Sequence, residues 1–194
     1  MFTGIIEEVG QVVAIDQEAG NIHFTISSAL SGGFKIDQSV AHNGCCLTVV
    51  AQNQQQHVVT AIQETLLKTN LGTWEVGTSV NLERCMQLGG RLDGHMVQGH
   101  VDCVGTCTEV SDENGSWRFT FTHPNSFVTV EKGSITVNGT SLTVVDSQKG
   151  QFSVCIIPFT FDHTNFKQLK VGDQVNLEFD IIGKYVARYL SLQQ

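Results

Sequence analysis

A short stretch occurs twice in this chain of 194 residues, and the repeat constrains the fold more than any other feature. The first copy, residues 43–50, reads NGCCLTVV, and the second, residues 138–145, reads NGTSLTVV. The same offset of 95 residues aligns residues 80–83 with residues 175–178, both of which read VNLE. A constant offset across half of the chain indicates that a whole folding unit was duplicated. We therefore expect two similar domains, each large enough to bury its own core.

Short β-prone runs separated by polar turns predict an all-β fold. The clearest turn is Asn43-Gly44, because this dipeptide accepts positive φ at both central positions of a type I′ hairpin. Closure of the strands into small barrels would remove exposed sheet edges. The predicted fold is therefore two tandem duplicated Greek-key β-barrels, at residues 1–88 and 95–182, with a short C-terminal helix at 183–194.

The predicted C-terminal helix carries an apolar stripe formed by Tyr185, Val186, Tyr189 and Leu190. A helix of this length is marginal in water, so the stripe needs a partner. Packing on its own barrel and packing on another copy of the chain both satisfy that need.

The net charge and the cysteine spacing limit the binding partners and the cellular compartment that we expect for this protein. The net charge of −8 argues against a broad nucleic-acid or anionic-membrane surface. The first eight residues lack a basic flank and a sustained apolar run, so neither a signal peptide nor a transmembrane helix is predicted. Adjacent Cys45 and Cys46, and Cys103 and Cys107 four residues apart, do not form C-x-x-C pairs. Reduced thiols in a cytoplasmic protein are expected.

Positions that differ between the halves indicate where chemistry could occur. Three pairs of equivalent positions carry different residues in the first and second halves: Ile5 and His100, Cys46 and Ser141, and Asp37 and Lys132. An imidazole transfers protons near neutral pH, and a thiol or hydroxyl beside it can act as a nucleophile. The halves therefore predict two related but non-equivalent pockets.

Other kinds of site find less support in the sequence. His95, His100 and Cys103 lie close together in the chain, but no pair of close-spaced Cys or His motifs predicts a zinc cage. The chain has no dinucleotide-binding fingerprint after a strand, no P-loop and no G-x-S-x-G elbow. Nucleotide-driven and hydride-transfer mechanisms therefore have no visible binding motif.

Four runs of sequence carry a family resemblance: MFTGIIE at 1–7, SVAHNGCCLTV at 39–49, ETL with TNLG between 64 and 72, and GHMVQGHV at 94–101. Together they resemble the riboflavin synthase family, over residues 1 to about 180. The resemblance implies the dismutation of two 6,7-dimethyl-8-ribityllumazine molecules. One lumazine passes a four-carbon unit to the other, which gives riboflavin and 5-amino-6-ribitylamino-uracil in the last step of riboflavin biosynthesis.

The resemblance also implies the assembly and the requirements of such an enzyme. It implies a homotrimer supported by the C-terminal helix, with each site formed between the first barrel of one subunit and the second barrel of its neighbour. No cofactor or metal is required in the family. Association with lumazine synthase is a further expectation.

Site residues follow from the resemblance, with one lumazine in each barrel. The first pocket would use Gly4, Ile5, Ile6, Cys46, Leu47, Thr48, Thr60, Ala61, Ile62, Gln63, Glu64 and Thr65. The second would use Gly99, His100, Val101, Lys132, Ser141, Leu142, Thr143, Cys155, Ile156, Ile157, Pro158, Phe159 and Thr160. The expected catalytic residues are Cys46, His100, Ser141, Ser39, Asp180 and Phe2.

Within these pockets, we expect His100 to help deprotonate the acidic 7-methyl group of one lumazine. Cys46, Ser39 or a bound water would add to the other lumazine. Lys132, Thr48 and Thr143 would bind the ribityl chain. Asn138 stands where the family often has Asp, and its place in an Asn-Gly turn indicates a structural role.

The main alternative is a non-catalytic relative that binds lumazine or flavin as a chromophore. Such relatives lose reactive features of the second pocket, whereas His100, Lys132 and Ser141 are present here. A purely structural barrel protein, the third class, would leave the polar differences between the halves unexplained.

Overall fold

The duplicated sequence folds twice into the same six-stranded unit. The computed structural model describes residues 1–193. The strands of the first unit are β1 (Glu8–Glu18), β2 (Asn21–Ser27), β3 (Ser39–His42), β4 (Cys45–Gln52), β5 (Gln56–Ala61) and β6 (Ser79–Arg84). Those of the second are β7 (Cys103–Asp112), β8 (Trp117–Thr122), β9 (Ser134–Val137), β10 (Thr140–Gln148), β11 (Gln151–Ile156) and β12 (Gln174–Phe179).

Each unit closes into an antiparallel barrel with the same strand order. The first runs β1-β2-β5-β4-β3-β6, and the second runs β7-β8-β11-β10-β9-β12. Helices α1 (Gln63–Lys68) and α2 (Pro158–His163) follow β5 and β11 at equivalent positions. Short 3-10 helices span Ser31–Gly33, Asn70–Thr73 and Asn165–Gln168. The β2–β3 and β8–β9 connections make the Greek-key crossings, which confirms the predicted pair of duplicated barrels.

The two Asn-Gly turns lie against each other where the barrels meet. Asn43 and Gly44 have φ of 46° and 77°, and Asn138 and Gly139 have φ of 47° and 79°. These are the positive values of the predicted type I′ turns. A Cβ atom on Gly44 would lie 2.7 Å from the Gly139 nitrogen, and one on Gly139 would lie 2.6 Å from the Gly44 nitrogen. Only glycine allows this approach.

Buried asparagines extend the contact between the barrels. The side-chain amide of Asn81 donates to the Asn138 carbonyl, and that of Asn176 donates to the Asn43 carbonyl, both at 2.9 Å. The Asn165 backbone N–H donates to Asn81 Oδ1 at 2.7 Å. These side chains satisfy backbone groups that the turns would otherwise leave buried and unpaired. The asparagine network therefore fixes how the two barrels dock.

Side chains on β4 alternate as the sequence predicts. Cys45, Leu47 and Val49 are buried in the first core, whereas Cys46 is half-buried and Thr48 is exposed. The alternation places Cys46 and Thr48 on the face away from the core.

The C-terminal helix α3 (Ile181–Ser191) leaves its apolar stripe uncovered. Asp180 Oδ1 caps it by accepting from the Ile182 N–H at 3.0 Å, and Lys184 Nζ contacts both carboxylate oxygens of Asp102 at 3.0 Å. The four residues of the stripe, Tyr185, Val186, Tyr189 and Leu190, are between 54% and 73% exposed, and Ile182 in the first turn is 61% exposed. The stripe therefore does not pack on its own barrel. Gln194, the last residue of the predicted helix, lies outside the described residues.

The described helices are too short or too polar to cross a bilayer. Over residues 1–193, all six cysteines are free thiols.

Candidate active site

Two extended segments cross between the barrels and form the centre of the candidate site. The first crossing segment is residues 2–5, and the second crossing segment is residues 97–100. They pair with each other: the Phe2 N–H donates to the Val97 carbonyl at 2.7 Å, and the Val97 N–H donates to the Phe2 carbonyl at 3.1 Å. Phe2 and Val97 are equivalent positions of the repeat and are each 1% exposed.

Each crossing segment continues onto a strand of the opposite barrel. The Gly4 carbonyl accepts from the Ser141 N–H in β10 at 2.7 Å, and the Gly99 carbonyl accepts from the Cys46 N–H in β4 at 2.8 Å. Gly4 therefore lies beside Ser141 and Gly99 beside Cys46, whereas the prediction groups Gly4 with Cys46 and Gly99 with Ser141. The structure exchanges the two segments between the barrels. The sequence could not show this exchange, because a repeat offset identifies equivalent residues but not the barrel against which they pack.

Glycine is required at both crossing points. Gly4 and Gly99 have φ of 78° and 79°. A Cβ atom on Gly4 would lie 2.6 Å from the Ser141 Cβ, and one on Gly99 would lie 2.6 Å from the Cys46 Cβ. A side chain would meet both backbone strain and a steric clash, so each glycine holds its segment directly against a candidate catalytic residue.

Cys46 lies in a group with Ser39, Phe2 and Gly99 on the first barrel. Burial raises the pKa of the Cys46 thiol, and the nearby Ser39 hydroxyl partly opposes that shift. Phe2 contributes to a small apolar cluster packed against Cys46, and a Cβ on Gly99 would lie 2.8 Å from the Phe2 ring. Cys46 is therefore a neutral thiol at neutral pH, better suited to donate a hydrogen bond than to attack as a thiolate.

Ser141 forms the equivalent group on the second barrel, together with His95 and Asp180. The His95 Nδ1 lies 2.7 Å from the Ser141 Oγ. Burial lowers the pKa of His95, and the charge of Asp180 opposes this shift. A neutral imidazole in contact with a hydroxyl can act as its general base. The structure thus places the predicted Ser141 in contact with His95, and His95 feels the charge of Asp180. In the sequence, His95 is noted only among the residues considered for a metal site.

His100 lies at the end of the second crossing segment and is exposed, whereas its backbone is fixed by a hydrogen bond. Its N–H donates to the carboxylate of Glu178 at 2.9 Å. The Ile5 side chain, at the equivalent position, is 46% exposed. The side chains at the ends of both crossing segments are therefore exposed in a single chain.

The remaining predicted residues divide between the core and the surface. Leu47, Ala61 and Ile156 are buried in the barrel cores, so only their backbone atoms remain for a ligand. Val101 packs against the core of the first barrel, across the exchange, and Leu142 packs against the second. The exposed members are Thr48, Ile62, Gln63, Glu64, Lys132, Thr143, Cys155, Ile157, Pro158 and Phe159. Partly exposed members are Ile6, Ser39, Thr60, Thr65 and Thr160.

Asn138 has the structural position expected of it. Its side-chain Oδ1 accepts from the Asn176 N–H at 2.9 Å, and its backbone carbonyl takes part in the asparagine network. The residue is 3% exposed, so its side chain is committed within the fold.

Comparisons with known proteins identify the family of this chain. The profile of the lumazine binding domain family matches residues 3–85 and again residues 98–180. The riboflavin synthase of Actinobacillus pleuropneumoniae is 42% identical over 193 residues, which cover 98% of this chain and 90% of the relative. The chain belongs to the riboflavin synthase family. Another riboflavin synthase, from Bacillus subtilis (strain 168), is 37% identical with the same coverage.

Solved structures share the fold at lower sequence identity. LumP complexed with 6,7-dimethyl-8-(1′-D-ribityl) lumazine superposes with a TM-score of 0.83 at 21% identity, covering 92% of this chain and 98% of LumP. LumP complexed with riboflavin gives a TM-score of 0.85 at 22% identity with the same coverage. At this identity, the likeness to LumP shows that the double-barrel fold is shared, and the family assignment rests on the riboflavin synthases.

Proposed function

We propose that this chain is a riboflavin synthase that converts two 6,7-dimethyl-8-ribityllumazine molecules into riboflavin and 5-amino-6-ribitylamino-uracil. Full-length similarity to riboflavin synthases supports the assignment. The observation that carries it in the structure is the exchange of crossing segments, which gives each barrel a reactive side chain pressed against a glycine from the other half.

The two candidate sites are suited to hold like molecules in unlike chemical roles. On the first barrel, Cys46 and Ser39 offer a thiol and a hydroxyl beside the Gly99 carbonyl. On the second, Ser141 and His95 offer a hydroxyl and an imidazole beside the Gly4 carbonyl. One lumazine must lose a methyl proton and the other must accept a nucleophile. Two sites at equivalent positions of the repeat, with different proton-transfer groups, fit that division.

Prearranged binding of the two substrates would replace a bimolecular encounter with a reaction between held partners. The predicted site residues Thr48, Ile62, Cys155 and Phe159 are exposed in the single chain. We propose that a neighbouring subunit covers them and brings the first barrel of one chain to the second barrel of the next. The exposed stripe on α3 supports a homotrimer as that assembly.

A chromophore-binding protein is the second candidate, because LumP has the same fold. The retained Cys46, His100, Lys132 and Ser141 favour the enzyme. The six free thiols support a reducing compartment, and we propose the cytoplasm. Association with lumazine synthase, which would supply the substrate directly, is proposed from the family resemblance alone.

Incubation of the purified chain with the lumazine alone tests the function. We expect one riboflavin for every two lumazines consumed, with one 5-amino-6-ribitylamino-uracil released. His100→Ala should lower turnover at saturating substrate at least tenfold, because a proton-transfer group is lost. Cys46→Ser should lower turnover by less, because the serine hydroxyl still donates a hydrogen bond in place of the neutral thiol. Lys149→Ala, an exposed change at the β10–β11 turn, is the control and should keep full turnover. A lasting shift of the lumazine spectrum without any riboflavin would favour the chromophore-binding protein instead.

A further inference from the structure

Two buried glutamates lie beneath the crossing segments, at equivalent positions of the repeat. Glu83 in β6 is 4% exposed, and Glu178 in β12 is 2% exposed. No lysine or arginine forms an ion pair with either carboxylate within residues 1–193. A buried carboxylate without such a partner must be satisfied by hydrogen bonds. Both are, and every donor belongs to a crossing segment.

Glu83 holds the first crossing segment. Its Oε1 accepts from the Thr3 N–H at 2.6 Å and from the Thr3 hydroxyl at 2.7 Å, and its Oε2 accepts from the Gly4 N–H at 3.0 Å. The Gly4 carbonyl then accepts from Ser141 on the opposite barrel. A single residue, Gly4, therefore links the carboxylate of the first barrel to the candidate site of the second.

Glu178 holds the second crossing segment in the same way. Its Oε1 accepts from the Gln98 N–H at 2.7 Å, and its Oε2 accepts from the Gly99 and His100 N–H groups, both at 2.9 Å. The Gly99 carbonyl accepts from Cys46 on the first barrel. The chain of contacts runs in the reverse direction, from the second barrel to the candidate site of the first.

We infer that Glu83 and Glu178 are positioning residues, and that each carboxylate organises the candidate site of the barrel to which it does not belong. Charge-assisted hydrogen bonds from three donors hold the segment, and the glycine carbonyl transmits its position to Ser141 or Cys46. The role in turnover rests on the proposed function, whereas the structural coupling does not. Burial raises the pKa of both carboxyl groups, and the N–H donors partly oppose this shift, as does the charge of Lys184 for Glu178.

Hydrogen exchange on two matched variants tests the crossed arrangement. Glu178→Gln replaces one acceptor oxygen with an amide NH₂ that faces an N–H donor, so the second crossing segment should loosen. We expect faster exchange of the Cys46 amide, on the first barrel, and little change at Ser141. Glu83→Gln should do the opposite, with faster exchange at Ser141 and little change at Cys46. Each variant is the control for the other.

Turnover supplies the second measurement. Each variant should lower kcat at least tenfold at saturating lumazine, with a smaller change in KM, because the segment positions reactive groups. Three outcomes would overturn the inference. Exchange could rise equally at the Cys46 and Ser141 amides in each variant, it could rise only in the barrel that carries the substitution, or it could stay unchanged. Amide exchange needs no substrate, so these results would stand even if the wild-type chain formed no riboflavin.

Thr3→Val provides a milder test should a glutamine variant fail to fold. It removes the hydroxyl donor to Glu83 and the acceptor of the Ile5 N–H, and it leaves the backbone donors to Glu83 in place. Exchange at the Ser141 amide should rise by less than in Glu83→Gln, and exchange at Cys46 should stay at the wild-type rate. An unchanged Ser141 rate would count against the inference.

Discussion

A buried histidine pair in the first barrel should make the protein sensitive to acid. The Nε2 atoms of His42 and His57 are 2.8 Å apart, and both residues are 0% exposed. His42 Nδ1 lies 3.0 Å from the Val40 carbonyl, which can only accept, so this nitrogen carries the proton of the neutral ring. His57 must then donate through Nε2 and accept the Ser31 hydroxyl at its Nδ1, 2.8 Å away. Every ring nitrogen is satisfied only when both rings are neutral.

Protonation of either ring would break this arrangement, and the size of the effect follows from the pKa values. Burial lowers the pKa of His42 from 6.5 to about 3 and that of His57 to about 4. The unfolded chain therefore binds more protons than the folded chain between these values and 6.5. The stability contribution is full above pH 6.5 and is lost as the pH falls. At pH 5 the loss is about 2 kcal/mol for each ring, or about 4 kcal/mol for the pair.

The second barrel supplies the replacement residues for the test. Val137 and Phe152 occupy the positions equivalent to His42 and His57, and both are 0% exposed. The double variant His42→Val/His57→Phe should unfold with a weaker pH dependence than the wild type. Comparison of the two chains cancels the contribution of the carboxylates they share. The difference between pH 8 and pH 5 should be smaller in the variant by about 4 kcal/mol.

Urea unfolding followed by tryptophan fluorescence measures this difference in the relevant barrel. The chain has two tryptophans, and Trp74 packs in the first core while Trp117 belongs to β8 of the second barrel. A Trp117→Phe background in both proteins leaves Trp74 as the reporter. Protein concentration is kept fixed, because assembly would also shift stability. Parallel loss of stability between pH 8 and pH 5 in the two chains would refute the reasoning.

Two further predictions concern the barrel contact and the assembly. Gly44→Ala should cost at least about 2 kcal/mol in thermal or urea unfolding, because its Cβ would clash with the opposite turn, whereas Gly20→Ala, at a positive φ in open space, should cost only about 1 kcal/mol. Equal costs would contradict the back-to-back packing. Tyr189→Asp on the α3 stripe should reduce the particle mass in light scattering from trimer toward monomer, whereas Ser191→Asp on the polar face should not. A monomeric mass for the wild-type protein would contradict the proposed trimer.

Much of the fold could be predicted because duplication let one half check the other. The Asn43-Gly44 turn, the alternation along β4 and the closed barrels all follow from local pattern and from the need to cover strand edges. The need for Gly10 in β1 is not visible in the local pattern, because this residue pairs regularly with Val80 and the register shift of the strand lies further on, between Val12 and Ala14. A Cβ there would lie 2.9 Å from side-chain carbons of Ile26 and Leu82, so packing across the core requires this glycine.

The candidate site was harder to predict, because its decisive contacts join residues far apart in the chain. The sequence identified Cys46 and Ser141 from the differences between halves, but nothing local indicates that Gly4 reaches Ser141. Glu83 and Glu178 end the VNLE runs that both halves share, so a comparison of the halves does not single them out. A residue common to both repeats can still position the candidate site, because each repeat holds its own crossing segment with the same hydrogen bonds.

The back-to-back turns have an evolutionary consequence. After the duplication, most positions of the two halves could diverge separately, as Cys46 and Ser141 did. Gly44 and Gly139 could not, because each occupies the space that a side chain of the other would need. A methyl group gained by either copy would push the whole pair of barrels apart, so selection on one turn acts on both.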